Sequence, residues 1–276
     1  MTARTPPTAL TIAGSDSGGG AGIQADLRAF FACGVHGMTA VTAVTVQNSL
    51  GVQGFTEIPP EVVTAQIAAV AGDMGVAAAK TGMLATAEII EAVAATLDEV
   101  HIGQNAAVPL VVDPVAASMH GDTLLRAEAL EAVRAELFPR ATLVTPNLDE
   151  VRLLTGVQVV DRAGQREAAK ALLDLGPRWV LVKGGHMYDS PECVDLLSDG
   201  RDVVELSGKR HESPHTHGGG DTLASAVTAS LAHGLDLPDA VAAGKRFIER
   251  AVAESYPLGA GTGPVSPFWR LVPGGF

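Results

Sequence analysis

The run PLVVDP (109–114) is apolar on both faces that a β-strand would present. Such a strand needs cover on either side, the condition of a central strand in a parallel sheet flanked by helices. RWVLVKGG (178–185) reads as another buried strand, and short β-rich runs alternate with longer amphipathic ones along the rest of the chain. ALTIAG (9–14), MTAVTAVTV (38–46), AAAKTG (77–82) and ATLVTPN (141–147) are the other strands, and CVDLLS with DVVEL forms an antiparallel pair. Helices are expected near 21–32, from Pro59 and Pro60 onward, and near 86–100, 123–137, 148–154, 163–175, 221–233 and 238–255. Ile23, Leu27 and Phe30 illustrate the helical period, falling at i, i+4 and i+7 on one face. Strand–helix alternation of this kind predicts an α/β fold, a mostly parallel sheet with helices on both faces. No internal repeat, low-complexity tract or Pro/Ser linker interrupts it, so one domain over residues 8–270 is expected.

Charge and composition exclude several classes of function. The chain has 276 residues and a net charge of −12, with no Lys/Arg run. That balance argues against a nucleic-acid surface. No apolar stretch reaches the roughly 18 residues of a membrane span, and the start, MTARTPPTAL, lacks the apolar core of a signal peptide. Cys33 and Cys193 stand far apart without metal-site spacing and read as reduced thiols of a cytoplasmic protein.

Open parallel sheets bind ligands at the carboxyl ends of their strands. Six strand ends here carry polar or glycine residues: GSDSGGGAG (14–22), Gln47-Asn48, Gly82-Met83, Asp113-Pro114, Pro146-Asn147 with Glu150 one turn on, and Lys183-Gly184-Gly185. The glycine loop 14–22 does not match the spacing of a dinucleotide fingerprint and lacks GK[ST]. It suits close approach of a flat substrate to the backbone instead. Asp113 and Glu150 are candidate ligands for Mg²⁺, which needs only one or two carboxylates beside substrate phosphates. Lys183 closes a strongly apolar strand, where it can meet a phosphate. In HTHGGGDTLASA (215–226), Gly218, Gly219 and Gly220 run into a helix expected to start near Asp221. Helix-terminal N–H groups and the helix dipole would make an anion hole there. Asp221 would stand beside it as a base for an attacking hydroxyl. Donors, a base and Mg²⁺ are the parts of in-line phosphoryl transfer.

LTIAGSDSGGGAGIQADL, TAVTVQNSLGV, KTGML, VVDPV, LVTPNLDEV, VLVKGGH, HTHGGGDTLASA and GTGPV follow one another in a single order. With these motifs the chain resembles the hydroxymethylpyrimidine/phosphomethylpyrimidine kinases of thiamine biosynthesis, in the ribokinase-like superfamily, from about Leu10 to Trp269. The resemblance implies an ATP- and Mg²⁺-dependent cytoplasmic kinase, a homodimer, acting on 4-amino-5-hydroxymethyl-2-methylpyrimidine and then on its monophosphate. It implies that Asp26 and Gln47 hydrogen-bond the aminopyrimidine edge and that Met83 and Val115 touch the ring. Asp113, Asn147 and Glu150 would lie near Mg²⁺ and the phosphates. Lys183 and Thr216 would contact ATP phosphate, and the glycines 218–220 would form the anion hole.

Two departures stand out. The family reads H-G-T-G-C where this chain reads HGGGD, which puts an aspartate where a cysteine is usual. An alcohol nucleophile benefits from a base, whereas a phosphate nucleophile is already ionised and a carboxylate repels it. Asp221 is therefore expected to favour the first transfer over the second. The segment ASMHGD (117–122), expected to be a mobile flap, lacks the lysine of relatives that read AKSGD, with His120 as a weak substitute. The nearest rival reading is a pyridoxal or pyridoxine kinase of the same superfamily. From another class, a non-catalytic nucleotide or pyrimidine sensor would be expected to lack Asp221, Lys183 or the carboxylates, all of which are present.

Overall fold

In a computed structural model, residues 5–115, 127–185, 187 and 192–270 are described. The flap segment 117–122 and His120 lie outside them. Six parallel strands form the centre of the sheet: β1 (Thr8–Ser15), β2 (His36–Asn48), β4 (Ala78–Thr81), β5 (Leu110–Val112), β6 (Leu143–Val144) and β7 (Trp179–Val182). Antiparallel β3 (Gly51–Glu57) extends one edge, and β8 (Glu192–Ser198) and β9 (Val203–Lys209) extend the other. The order is β3-β2-β1-β4-β5-β6-β7-β8-β9. The strand order turns outward in both directions from β1 and β4, which opens a crevice at their carboxyl ends.

Helices cover both faces, as the twofold apolar character of 109–114 requires. On one side α2 (Pro60–Asp73), α3 (Ala87–Glu99), α4 (Ala127–Ala132), α5 (Leu148–Thr155) and α6 (Arg162–Leu173) bury Ile67, Ile89, Ala129, Val151 and Ala168 against Val112, Val144 and Val180. On the other, α7 (Gly219–Ala232) and α8 (Leu237–Ala253) bury Leu223, Val227 and Val241 against Ala78, Val111, Leu143 and Leu181. There α1 (Gly22–Ala32) adds Phe30 against Ala9 and Ala229. Alternate residues of one strand thus serve two cores, as the strand period demands.

Most expected elements are present within a residue or two. The helix expected at 123–137 is described from Ala127 and passes into a π turn, Val133–Leu137; residues 123–126 lie outside the described part. One strand is additional: β3, with two glycines in GVQGFTE, has little strand character of its own and forms by pairing with the long β2.

A buried ion pair sits beneath the sheet edge. Lys80 of β4 and Asp26 of α1 are fully enclosed, Nζ to Oδ1 at 2.7 Å. Asp26 also accepts from Thr11 Oγ1 of β1 and Ser225 Oγ of α7, each at 2.6 Å. Burial disfavours the Lys80 charge, but Asp26, Asp221 and Asp113 more than offset it and hold the ammonium above its ordinary range. Removing one partner of such a pair strands the other charge. Lys80→Met is expected to lower stability by about 3–5 kcal/mol in urea titrations, and adding Asp26→Leu should recover much of that loss.

Candidate active site

The carboxyl ends of β2, β1, β4, β5, β6 and β7 set Gln47, Gly14, Met83, Asp113, Asn147 and Lys183 along one edge of the sheet, in that order. The row has two halves. At β2, β1 and β4 the Met83 carbonyl accepts from Gly14 N–H at 3.1 Å and from Thr42 Oγ1 at 2.7 Å. Ser17 Oγ donates to the Gln47 carbonyl at 2.7 Å and accepts its N–H at 2.9 Å, which pins the glycine loop to β2. The Gln47 and Met83 side chains are half-buried at this end. Val115, just past β5, has φ 36°, a strained backbone for a β-branched residue.

Asp16 organises the loop 14–22, and reading the motif by its glycines missed it. Its buried carboxylate accepts from Gly18 N–H (2.8 Å), Gly20 N–H (2.9 Å) and Ala21 N–H (2.8 Å), and lies 2.9 Å from His217 Nε2. Burial raises the pKa of this group, but the hydrogen bonds from His217, Ala21 and Gly18 outweigh it and leave the carboxyl below its ordinary range. Through His217 the loop is joined to the segment 215–221. A side chain on Gly20 would collide with the His217 ring, and one on Gly218 with the Gly20 carbonyl. Gly218 also takes φ 73°. Two glycine segments far apart in sequence therefore pack backbone against backbone.

The helix after these glycines starts earlier than the residue types suggested. α7 begins at Gly219 with Gly218 as its N-cap, so Asp221 is the third helical residue rather than the first. The Gly219 N–H is already bonded to the half-buried Thr216 carbonyl (3.1 Å), and Thr222 N–H returns to Gly218 (2.9 Å). A helix leaves its first N–H groups without internal partners. Among the described residues Gly220 and Asp221 N–H have no acceptor. Gly218 N–H likewise has no acceptor among the described residues, so the free N–H groups at the start of the helix are those of 218, 220 and 221, while that of Gly219 is taken up by the turn. A Cβ on Gly220 would lie 3.3 Å from Lys183 Nζ and 3.5 Å from Asp113 Oδ2, so the missing side chain leaves a cradle between opposite charges.

The second half of the row surrounds that cradle. Asp113, buried, accepts at Oδ1 from Thr145 Oγ1 (3.0 Å) and Lys183 Nζ (3.2 Å). Asn147 and Glu150 are linked as the capping box of α5, with Asn147 Oδ1 accepting Glu150 N–H at 2.9 Å and Glu150 Oε2 accepting Asn147 N–H at 2.8 Å. Burial works against the Lys183 charge, yet Asp113, Glu150 and Asp221 together hold it above its ordinary range. Asp113 and Glu150 near Lys183 and the orphaned amides fit a triphosphate with Mg²⁺, a cation satisfied by one or two carboxylates. Among the described residues no group of three or more His, Cys, Asp or Glu makes a metal site without substrate.

Asp26 does not reach the row. Its two oxygens are consumed by Lys80, Thr11 and Ser225, and it is fully enclosed, so the expectation that it bonds a ring edge is corrected to a supporting role. Lys80 was missed as a site residue. An aspartate on the apolar face of Ile23 and Phe30 and a lysine inside a short buried strand were the signals. Asp221 lies above this pair. Burial raises its carboxyl most, Lys80 and His217 lower it, Asp26 and Asp113 raise it, and the balance stands at about 6. A carboxylate so tuned is ionised at neutral pH and basic enough to accept a proton.

The model for the phosphomethylpyrimidine kinase family matches residues 16–266. The chain belongs to this family. It is 58% identical over 267 residues to the hydroxymethylpyrimidine/phosphomethylpyrimidine kinase of Mycobacterium tuberculosis, covering 97% of this chain and 96% of that one. Among solved structures, the ADP complex of Bacillus subtilis pyridoxal kinase superposes with a TM-score of 0.87 at 39% identity, covering 97% of this chain and 100% of that one. Phosphomethylpyrimidine kinase from Clostridium difficile superposes at 0.78 with 38% identity, covering 89% and 99%. The fold is therefore ribokinase-like, and the protein is a phosphotransferase.

The raised Asp221 pKa has a consequence for folding. Between the ordinary carboxylate range and about 6, the folded state holds a proton that the unfolded state has released. Stability from this group therefore falls as pH rises through that window and stays lost above it. Asp221→Asn is expected to raise the melting temperature at pH 7.5 and to leave it nearly unchanged at pH 4, as measured by thermal unfolding at the two pH values.

Proposed function

We propose that this kinase phosphorylates 4-amino-5-hydroxymethyl-2-methylpyrimidine at its hydroxymethyl oxygen with ATP, and then phosphorylates the monophosphate to the diphosphate, within thiamine biosynthesis. The observation that carries the reading is the pair of unpartnered N–H groups at Gly220 and Asp221 beside Lys183 and Asp113. The transferring phosphoryl group sits on those amides, where the helix dipole stabilises its oxygens as charge redistributes. Asp221 takes the proton of the attacking hydroxyl. The new bond joins the substrate oxygen to the γ-phosphorus, and ADP leaves with the former bridging oxygen. Lys183, Asn147 and Thr216 serve the ATP phosphates. Asp113 and Glu150 would hold Mg²⁺, which would offset phosphate charge. Gln47, Met83 and Val115 take the ring at the other half of the edge, and Asp26 acts from beneath through Lys80.

The active form is proposed to be a cytoplasmic homodimer of one kinase domain spanning residues 8–270. Val44 and Val46 on β2, and Leu50 just after it, leave apolar surface exposed, which supports self-association. Among the described residues no helix is long and apolar enough to cross a membrane.

A second reading, pyridoxal phosphorylation, is favoured by the fit to B. subtilis pyridoxal kinase. A coupled ATP-consumption assay separates them. Turnover of the pyrimidine alcohol and its monophosphate is expected. Turnover of pyridoxal alone would support the second reading, and binding without ATP consumption would support a sensor. For the two steps, Asp221→Cys is expected to lower the first-step rate about 10²-fold or more, the scale of lost base catalysis. The second step should fall far less, because a carboxylate repels the phosphate nucleophile that replaces the alcohol. Separate assays of each step give the ratio, and an unchanged ratio rejects this account.

A further inference from the structure

Two of the groups that hold the turn 183–185, Arg210 and Asp195, lie outside the motifs that carry the family resemblance. Lys183 N–H donates to the Pro146 carbonyl at 3.0 Å, and Arg210 donates to the Gly185 carbonyl at 2.7 Å. Between them, Gly184 N–H donates to Asp195 Oδ1 at 2.8 Å. A side chain at Gly184 would collide with the Val194 carbonyl, so the turn is pressed onto β8 with no slack. Asp195 is 3% exposed, and its other oxygen accepts from Lys245 Nζ at 2.8 Å. Lys245 comes from α8, is 7% exposed, and also reaches Cys193 Sγ at 3.4 Å.

An interior ion pair is a poor source of stability, because desolvation cancels much of its attraction and apolar residues of equal volume do as well or better. The orientation of this one gives it another use. One carboxylate oxygen is fixed by the lysine, and the other grips the peptide N–H immediately after Lys183. Lys183 Nζ must meet both Asp113 at 3.2 Å and the cradle at Gly220, where a Cβ would stand 3.3 Å away. Rotation of the 183–184 peptide would carry that ammonium off target. We propose that Asp195, braced by Lys245, is a positioning residue that fixes the Gly184 peptide and so aims Lys183 at the nucleotide phosphates. The proposal rests on the phosphate role assigned to Lys183 above.

The experiment compares two double variants that both lack the ion pair and its charges. Asp195→Asn with Lys245→Met keeps a side-chain oxygen for Gly184 N–H, whereas Asp195→Leu with Lys245→Met removes it. Steady-state kinetics are measured on the full chain, with ATP and with the pyrimidine alcohol varied in turn. The Leu/Met variant is expected to show a KM for ATP raised about tenfold, a lower kcat and an unchanged KM for the pyrimidine, since small misplacements of a phosphate-binding group cost that much or more. The Asn/Met variant and Lys245→Arg should stay within about threefold of the parent KM for ATP. If Leu/Met fails to fold, Asp195→Ala with Lys245→Met reads the same contrast. A purely structural pair would shift melting temperatures and leave both KM values alike in the two doubles, which overturns the proposal. Lys183→Met is run beside them. If it leaves the KM for ATP unchanged, the phosphate role itself is wrong and the proposal falls with it. If it raises that KM while the doubles match, only the positioning is rejected.

Discussion

Beneath the glycine turn lies a lysine ammonium with no access to water, and its carboxylate partner is equally sealed. Lys80 and Asp26, with Thr11 and Ser225, join β4, α1, β1 and α7 at a single point. An ion pair so placed adds little to stability on balance, because each charge has lost its hydration. Its value is in direction and field. The three donors around Asp26 fix the angle at which α7 meets the sheet, and that angle decides where the first amides of the helix point. The same pair also sets the charge of Asp221, since Lys80 draws its pKa down while Asp26 and burial push it up. Lys80 thus opposes the upward push of burial and of the neighbouring acids on the Asp221 carboxyl.

Sequence reading succeeded where local pattern and tertiary demand coincide. The run 109–114 needed cover on both faces and has it, and the polar strand ends converge because parallel strands share one carboxyl edge. It failed where a distant partner decides. β3 has no strand pattern of its own and exists through the extension of β2. Asp221 carries a side chain suited to an N-cap, yet Gly218 takes that position because its left-handed backbone fits against the carbonyl of Gly20. Neither glycine loop reveals the other when read alone. Asp26 is the more instructive error. Family resemblance set it at the ring, while its place on the apolar face of a helix, beside Ile23 and Phe30, already required a buried partner. Lys80, within a four-residue strand buried throughout, is that partner.

The charges around the cradle explain why the site is built with so few donors from side chains. Asp113, Glu150 and Asp221 face Lys183 and Lys80 within one small volume, so acids already outnumber lysines before any phosphate arrives. Additional lysines would pair with those acids rather than with a ligand, as Lys183 does with Asp113. Backbone amides avoid that exchange. They carry no counter-charge to be neutralised, they are fixed by the helix, and they need only that the residues supplying them lack bulk. A methyl group at 220 would crowd Nζ of Lys183 at 3.3 Å and the Asp113 carboxylate at 3.5 Å, so in the proposed reading glycine there keeps the approach to the amides open.

The two halves of the sheet edge also account for the likeness to pyridoxal kinases and pyrimidine kinases together. In the proposed reading, phosphate chemistry uses β5, β6, β7 and the start of α7, while the ring meets the loop 14–22, Gln47 on β2 and Met83 after β4. These parts come from different strands and are joined through Asp16 and His217, which lie 2.9 Å apart, and through the packing of Gly20 on Gly218. In that reading a change of ring can be met at Gln47 on β2 and Met83 after β4, away from the packed glycines, without disturbing the cradle. The reverse does not hold. Any shift of the glycine turn is passed to the ring loop through contacts at Gly20 and Gly218 that have no room for a methyl group. Substrate range in such a scaffold is adjustable from one side alone, and the backbone packing of the two glycine loops marks the boundary.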